Sequence, residues 1–228
     1  MSKAKILIVD DEPSIVKLVE AYLKPEGYEV LTASDGNAGL KAARAFKPDL
    51  LILDVMLPGM DGIELLSRLR RESEVYVIML TARTDEMDKI VGLTVGADDY
   101  VTKPFSPREL TARVKAALRR IQTGAASRSD TTVLAFRHIR IDAGARQVTV
   151  DDRPVELTAL EFDLLRILAE NRGRVLTREQ LLENVWGGEY FGETRVVDVH
   201  LGHVRQKIGD QFIVTVRGVG YRFEDELL

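Results

Sequence analysis

The feature that most restricts the fold is a rhythm. Short apolar runs at Ile6–Val9, Glu29–Thr32, Leu50–Leu53, Val75–Leu80 and Tyr100–Val101 recur through the first 120 residues, and segments of helical period such as Ile15–Leu23 separate them. Strands that alternate with helices are joined by crossovers, so they build a parallel sheet covered by helices on both faces. Past the small, polar stretch Gln122–Thr132, QTGAASRSDTT, the rhythm changes class. Short strand-like stretches with a turn at Asp151 and Asp152 lead to three helical segments, about Thr158–Glu170, Thr177–Asn184 and Glu193–Ile208, and then to a hairpin around Arg217–Gly220. The expected organisation is an α/β doubly wound domain over residues 1–122, a linker over 123–132 and an α+β domain over 133–228.

With 228 residues, 45% of them hydrophobic, the chain can bury two modest cores. It has no cysteine, which excludes disulfides, thiolate catalysis and zinc-thiolate sites. It has no run of about 18 apolar residues to span a membrane, and Met1–Lys5 leads directly into a strand-like segment rather than a signal peptide. A cytoplasmic protein is expected.

In an open parallel sheet, ligands sit beyond the carboxyl ends of the strands, where the strand order reverses. There the sequence places Asp10 and Asp11 after KILIV, Asp54 after LLIL, Thr81 after YVIML and Lys103 after DDYVT. Any one aspartate in such a place reads as a turn or helix cap. Their arrival at successive strand ends argues for a site. Close carboxylates repel and raise one another's pKa unless a cation intervenes, and a hard divalent ion such as Mg2+ (or Mn2+) suits oxygen ligands that phosphate completes. Asp54 then has the character of a nucleophile able to take a phosphoryl group. Thr81 can hydrogen-bond phosphoryl oxygens, and Lys103 can neutralise them.

The blocks ILIVDDEP, LLILDVMLPGMDG, IMLTAR and GADDYVTKPF, in this order and spacing over residues 3–122, resemble the signature of a two-component response-regulator receiver domain. The resemblance implies a five-stranded parallel sheet in order 2-1-3-4-5, with Asp54 as phospho-acceptor. Asp11 and Asp54 would be direct magnesium ligands, Asp10 would act through water, and the backbone carbonyl of Met56 would supply a further ligand. It also implies Thr81 and Tyr100 as a switch pair, Lys103 as the phosphate's ion-pair partner, and a cis peptide before Pro104. On the last receiver helix and nearby it implies a symmetric dimer with Lys89–Glu109, Asp99–Arg113 and Asp98–Arg120 pairs across it. Pairing of Glu109 with Arg113 inside one helix is the plainer alternative.

Residues 133–225 resemble the winged-helix effector domain of the OmpR/PhoB subfamily through LTALEFDLLRILAENRGRVLTREQLLENVW, TRVVDVHLGHVRQKI and VTVRGVGYRF. Together the two resemblances imply a phosphorylation-controlled, sequence-specific transcriptional regulator. Its partners would be a sensor histidine kinase, promoter DNA, RNA polymerase and, once phosphorylated, a second copy of itself. It would promote its own phosphotransfer without being a turnover enzyme.

Charge gives only local support for DNA binding. Residues 1–120 hold 18 Lys+Arg against 19 Asp+Glu, and residues 121–228 hold 14 against 17, so the expected DNA-binding half is net acidic. Within 194–222, however, Arg195, Arg205, Lys207, Arg217 and Arg222 oppose only Asp198 and Asp210. In that helix Val197, Leu201, Val204 and Ile208 recur at core spacing. Arg195, Val199, Gly202 and Gln206 share the opposite face, flanked by His203 and Arg205, where a major groove can be met. The family resemblance adds Arg217 and Tyr221 of the hairpin as groove or phosphate contacts. His200 points inward and reads as a packing residue. Relatives in this subfamily commonly carry arginines where this chain has Gly202 and His203. Trp186 reads as core, while the resemblance assigns Tyr190 and Phe191 to a polymerase-facing surface.

Two other classes fit less well. An aspartate-nucleophile phosphatase of the haloacid-dehalogenase type needs a second aspartate two residues after the nucleophile, and that position is Met56. A nucleotide-binding switch needs a G-x-x-x-x-G-K-[ST] or G-x-G-x-x-G loop after the first strand, and neither is there.

Overall fold

The computed structural model describes residues 3–82, 95–126, 133–187 and 194–227. The chain divides into two compact units, Met1–Leu118 and Arg119–Leu228.

In the first unit, strands β1 (Lys5–Val9), β2 (Glu29–Ala33), β3 (Leu50–Asp54), β4 (Tyr76–Ala82) and β5 (Asp99–Lys103) form one sheet in the order β2-β1-β3-β4-β5. All four pairings are parallel. The near-continuous apolar character of β1, β3 and β4 follows from burial on both faces: Ile6–Val9, Leu50–Leu53 and Val77–Leu80 are essentially inaccessible. The edge strand β2 is mostly exposed and correspondingly more polar.

Four helices flank this sheet among the described residues: α1 (Pro13–Leu23), α2 (Gly36–Phe46), α3 (Gly62–Leu69) and α4 (Pro107–Ala126). Their starts are written locally. Pro13 begins α1, where its missing N–H costs nothing. Asp35 and Asp61 cap α2 and α3 by accepting from the amides of Ala38 and Glu64. Helix α4 runs through Ala126, so Gln122–Ala126 are helical rather than part of an extended linker. Gln122, Ala125 and Ala126 have adequate helix propensity, and elongating an existing helix is far easier than nucleating one.

The second unit opens with an antiparallel sheet, β6 (Val133–Ala135), β7 (Ile139–Asp142), β8 (Gln147–Val150) and β9 (Arg153–Val155), in sequential order. The β8–β9 turn places Asp151 and Asp152 at φ of 48° and 61°, the left-handed conformation that a two-residue hairpin requires. Helices α5 (Ala159–Glu170), α6 (Arg178–Trp186) and α7 (Arg195–Ile208) follow, and strands β10 (Leu176–Thr177), β11 (Ile213–Val216) and β12 (Gly220–Phe223) form a sheet ordered β10-β12-β11. This is a winged helix with β11–β12 as the wing. Thr158 with Glu161, and Thr177 with Gln180, make complete capping boxes at the starts of α5 and α6. Among the described residues, no helix is long and apolar enough to cross a membrane.

Candidate phosphoryl-acceptor site and nucleic-acid interface

Parallel pairing in register brings the carboxyl ends of β1, β3, β4 and β5 to one edge. Leu53 pairs with Val9, Asp54 with Leu80, Thr81 with Thr102 and Ala82 with Lys103. Carboxylate oxygens of Asp10, Asp11 and Asp54 consequently all lie within 4.8 Å of one another. Asp10 and Asp54 are buried, at 1% and 4% exposure, whereas Asp11 is exposed. Lys103 Nζ reaches into the cluster, 2.9 Å from Asp10 Oδ2, 3.2 Å from Asp54 Oδ1 and 3.3 Å from Glu12 Oε1. The other oxygen of Asp10 is already used, accepting the Glu12 amide at 2.8 Å and shaping the turn into α1. The peptide between Lys103 and Pro104 is cis.

The loop after β3 explains its glycines. The Gly62 amide donates to Val55 O at 2.9 Å, folding the start of α3 back against the strand end. A Cβ at Gly62 would lie 2.0 Å from the carbonyl oxygen of Asp54, so only glycine permits this approach. The Met56 side chain projects outward, 66% exposed.

Electrostatically the cluster is deficient in positive charge. Burial pushes the Asp54 carboxyl up to about 6; Lys103 opposes the rise, and Asp10 and Asp11 add to it. Burial pulls the Lys103 ammonium down, but its bonds to and charges from Asp10 and Asp54 win and hold it above its ordinary value. One lysine thus serves three acidic groups, Asp10, Glu12 and Asp54, with Asp11 close to two of them. A hard cation held by oxygen ligands fits this donor set. Beside it the Thr81 hydroxyl is buried, at 1% exposure, with no hydrogen-bond partner among the described residues. An orphaned donor at the rim of an anion-accepting site is what an incoming phosphoryl oxygen would satisfy. Tyr100 is already buried.

In the second unit, Val197, Leu201, Val204 and Ile208 of α7 are buried as their spacing predicts, and Val196 and His200 are buried with them. His200 packs 5.7 Å from the Trp186 ring, itself buried, and 5.9 Å from His203. Arg195 and Gln206 are exposed, Val199, Gly202 and His203 half-buried, and Arg217 is exposed at the wing turn. Nothing lies within 4 Å of the position a Cβ would take on Gly202.

Three of the expected contact residues have partners inside the fold. Arg205 donates to Ile213 O at 2.9 and 2.6 Å and to Thr215 Oγ1 at 2.7 Å. Lys207 pairs with Glu161 at 2.7 Å. Tyr221 is 4% exposed and its hydroxyl donates to Asp198. These bonds join α7 to the wing and to α5, and helix spacing, which reveals the face of a residue but not its neighbours in other elements, does not show them. Tyr190 and Phe191 lie outside the described residues.

The residues expected at a dimer interface are also engaged within the single chain. Arg113 bonds Asp99 at 2.9 Å and Glu109 at 2.8 Å, and both Arg113 and Asp99 are buried. Asp98 accepts from Arg70 and from the Val77 amide, each at 2.8 Å. Arg120 Nε lies 3.5 Å from Asp163. Lys89 is outside the described residues. Sequence reading passed over Arg70, which also donates to the carbonyls of Gly96, Ser73 and Val75. Its signal in the sequence was slight, since it is one of three arginines, Arg68, Arg70 and Arg71, at the end of an amphipathic helix.

The first unit thus carries an acidic strand edge and the second a winged helix. Residues 6–115 match the response regulator receiver domain, and residues 152–223 match the C-terminal domain of transcriptional regulatory proteins. The chain is 47% identical over 232 residues to the alkaline phosphatase synthesis transcriptional regulatory protein PhoP of Bacillus subtilis, covering 97% of each. It is 45% identical to the sensory transduction protein RegX3 of Mycolicibacterium smegmatis, covering 96% of this chain and 98% of that one. Among solved structures, a cysteine-to-serine mutant of RitR superposes with a TM-score of 0.76 at 31% identity over 97% of this chain and 99% of that one. DrrB of Thermotoga maritima, an OmpR/PhoB homologue, does so with a TM-score of 0.52 at 37% identity over the same shares. The chain belongs to the OmpR/PhoB-type response regulators, which are DNA-binding transcriptional regulators. The phosphatase alternative has no support.

Proposed function

We propose that Asp54 is the phosphoryl acceptor through which a sensor histidine kinase controls promoter binding by the second domain. One observation carries the reading: a buried Asp54 lies in contact with Lys103 and within 4.8 Å of two further aspartates, with an unpartnered Thr81 hydroxyl at the end of the next strand. A carboxylate oxygen of Asp54 attacks phosphorus, an acyl O–P bond forms, and the bond to the kinase imidazole breaks. Lys103 neutralises the transferred group, and Thr81 donates its hydrogen bond to it. Asp10, Asp11, Asp54 and the Met56 carbonyl would hold Mg2+ (or Mn2+), which supplies charge compensation when bound. The chain would thus promote its own phosphorylation and dephosphorylation without turnover of a separate substrate.

On this reading residues 1–122 act as the receiver domain and 133–228 as the effector domain, with 123–132, helical as far as Ala126, as the linker. Arg195, Gln206 and Arg217 meet DNA directly, together with Val199, Gly202 and His203. Arg205, Lys207 and Tyr221 shape the surface from behind. Phosphorylation adds roughly one to two negative charges, and the Thr81–Tyr100 pair relays the change to a surface that dimerises. RNA polymerase is the downstream partner and the cytoplasm the location. Incubation with acetyl phosphate and Mg2+ tests the acceptor assignment: wild type should gain one acid-labile phosphoryl group and Asp54→Asn none. Label on the variant would place the acceptor elsewhere, and rapid turnover would restore the phosphatase reading.

A further inference from the structure

Resting on the assignment of α7 to the DNA face, we propose that Asp198 is a positioning residue: it locks and neutralises Arg178, and so sets how strongly the domain prefers its own DNA sequence over any other duplex. Three elements meet at its side chain. Arg178 is the first residue of α6, Asp198 lies in the first turn of α7, and Tyr221 comes from β12. A single oxygen, Asp198 Oδ1, accepts from Arg178 Nε at 2.6 Å and from the Tyr221 hydroxyl at 2.7 Å. Arg178 Nη2 also reaches the Tyr221 oxygen at 3.3 Å. The Tyr221 ring is flanked by two guanidinium groups, Arg178 at 5.1 Å and Arg205 at 5.3 Å from its centroid. Arg205 is itself tied to the wing through Ile213 and Thr215.

The cluster sits where DNA would pass. Asp198 lies one residue before Val199 and three after Arg195, at the margin of the outward face. The side chains of Arg178 and Asp198 are 28% and 37% exposed. Asp198 is therefore a negative charge at the border of a surface whose ligand is a polyanion, which demands a compensating role. Phosphate contacts are blind to sequence, and each mobile cation that finds a phosphate strengthens binding to every duplex alike. A guanidinium held by Nε in a fixed pair, stacked on a buried ring, is withdrawn from that pool. The hydrogen bond that Arg178 donates to Asp198 holds its guanidinium still more firmly protonated, while burial and then the same carboxylate raise the Tyr221 hydroxyl. Both therefore remain donors to Asp198. What is left for DNA is the set of outward residues Arg195, Gln206 and Arg217.

The test uses the full chain phosphorylated with acetyl phosphate and Mg2+. Its two probes are a duplex that the wild type selects from a random-sequence library and a scrambled duplex of equal length, titrated at several salt concentrations. Asp198→Asn should bind the scrambled duplex several-fold more tightly, with a salt slope steeper by about one, and its preference for the selected duplex should fall about tenfold. In Asp198→Asn/Arg178→Ala the slope should return to the wild-type value, because the released cation is gone. Arg178→Ala alone should leave the wild-type slope unchanged, and this arm stands even if Asp198→Asn does not fold. The proposal is overturned if Asp198→Asn keeps the wild-type preference, if the steeper slope persists in the double variant, or if Arg178→Ala loses a full unit of slope. A wild type that selects no duplex would instead overturn the DNA-face reading beneath it.

Discussion

At the scale of the residue, Asp54 carries a cost that should be measurable. Its folded carboxyl is raised to about 6, above its unfolded value, so the protonated form favours folding. That contribution is fully present below about pH 4 and is lost as pH rises through about 6. Asp54→Asn does not titrate. In EDTA its stability advantage over wild type should grow from near zero at pH 4 to about 2–3 kcal/mol at pH 7.5, read by urea denaturation; a pH-independent difference would mean that ionising Asp54 costs nothing. Thr81 offers a second test. Valine in its place removes the buried unpartnered hydroxyl and should stabilise the unphosphorylated protein by about 1 kcal/mol, while slowing phosphoryl uptake from acetyl phosphate. If Thr81→Val melts well below wild type, the hydroxyl has a partner in solution.

At the scale of the element, two glycines make opposite predictions. Gly62 begins α3 against the carbonyl of Asp54, and alanine there must displace backbone at the end of β3. A loss of more than about 2 kcal/mol is expected in thermal melts. Gly202 lies in mid-helix with open space around its missing Cβ, so Gly202→Ala should gain about 0.5–1 kcal/mol. Its effect on DNA titration is the informative part: weaker specific binding would show that the duplex approaches α7 at this point, and unchanged affinity that the glycine is a tolerated loss. The helix starts follow from their sequences, since Asp35, Asp61, Thr158 and Thr177 each cap with their own side chain. The end of α4 does not follow so directly. QTGAA reads as linker by composition yet continues the helix to Ala126, because a helix already nucleated by ARVKAALRR extends past the weak formers Thr123 and Gly124 into Ala125 and Ala126.

At the scale of the whole molecule, the interface residues pose a question of exchange. Arg113 already satisfies Asp99 and Glu109 within one chain, so any dimer that uses these residues must trade partners rather than engage idle ones. Arg113→Glu would set a third carboxylate beside two, and should cost roughly 3–5 kcal/mol in the unphosphorylated protein before any interface is formed. Lys89→Glu is the cleaner probe. Sedimentation should show phosphorylated wild type as a dimer and phosphorylated Lys89→Glu largely as a monomer; equal dimer fractions would move the interface elsewhere. The net acidity of the second half would make such pairing useful: a monomer with few outward cations should bind DNA weakly, and two linked half-sites multiply affinity.

The sequence by itself determined the order of the strands and helices, the sheet edge on which Asp10, Asp11, Asp54, Thr81 and Lys103 meet, and the buried face of α7. All of these follow from local periodicity together with the rule that parallel strands end on a common side. Tertiary structure alone decided which of those polar groups are already taken. Lys103 bridges Asp10, Glu12 and Asp54, Arg70 holds Asp98, and Asp198 gathers Arg178 and Tyr221 from elements 20 and 23 residues away. The physical reason is that hydrogen bonds and ion pairs form across elements at distances of about 3 Å. A one-dimensional pattern specifies the face on which a side chain lies, but not the atom that will meet it there.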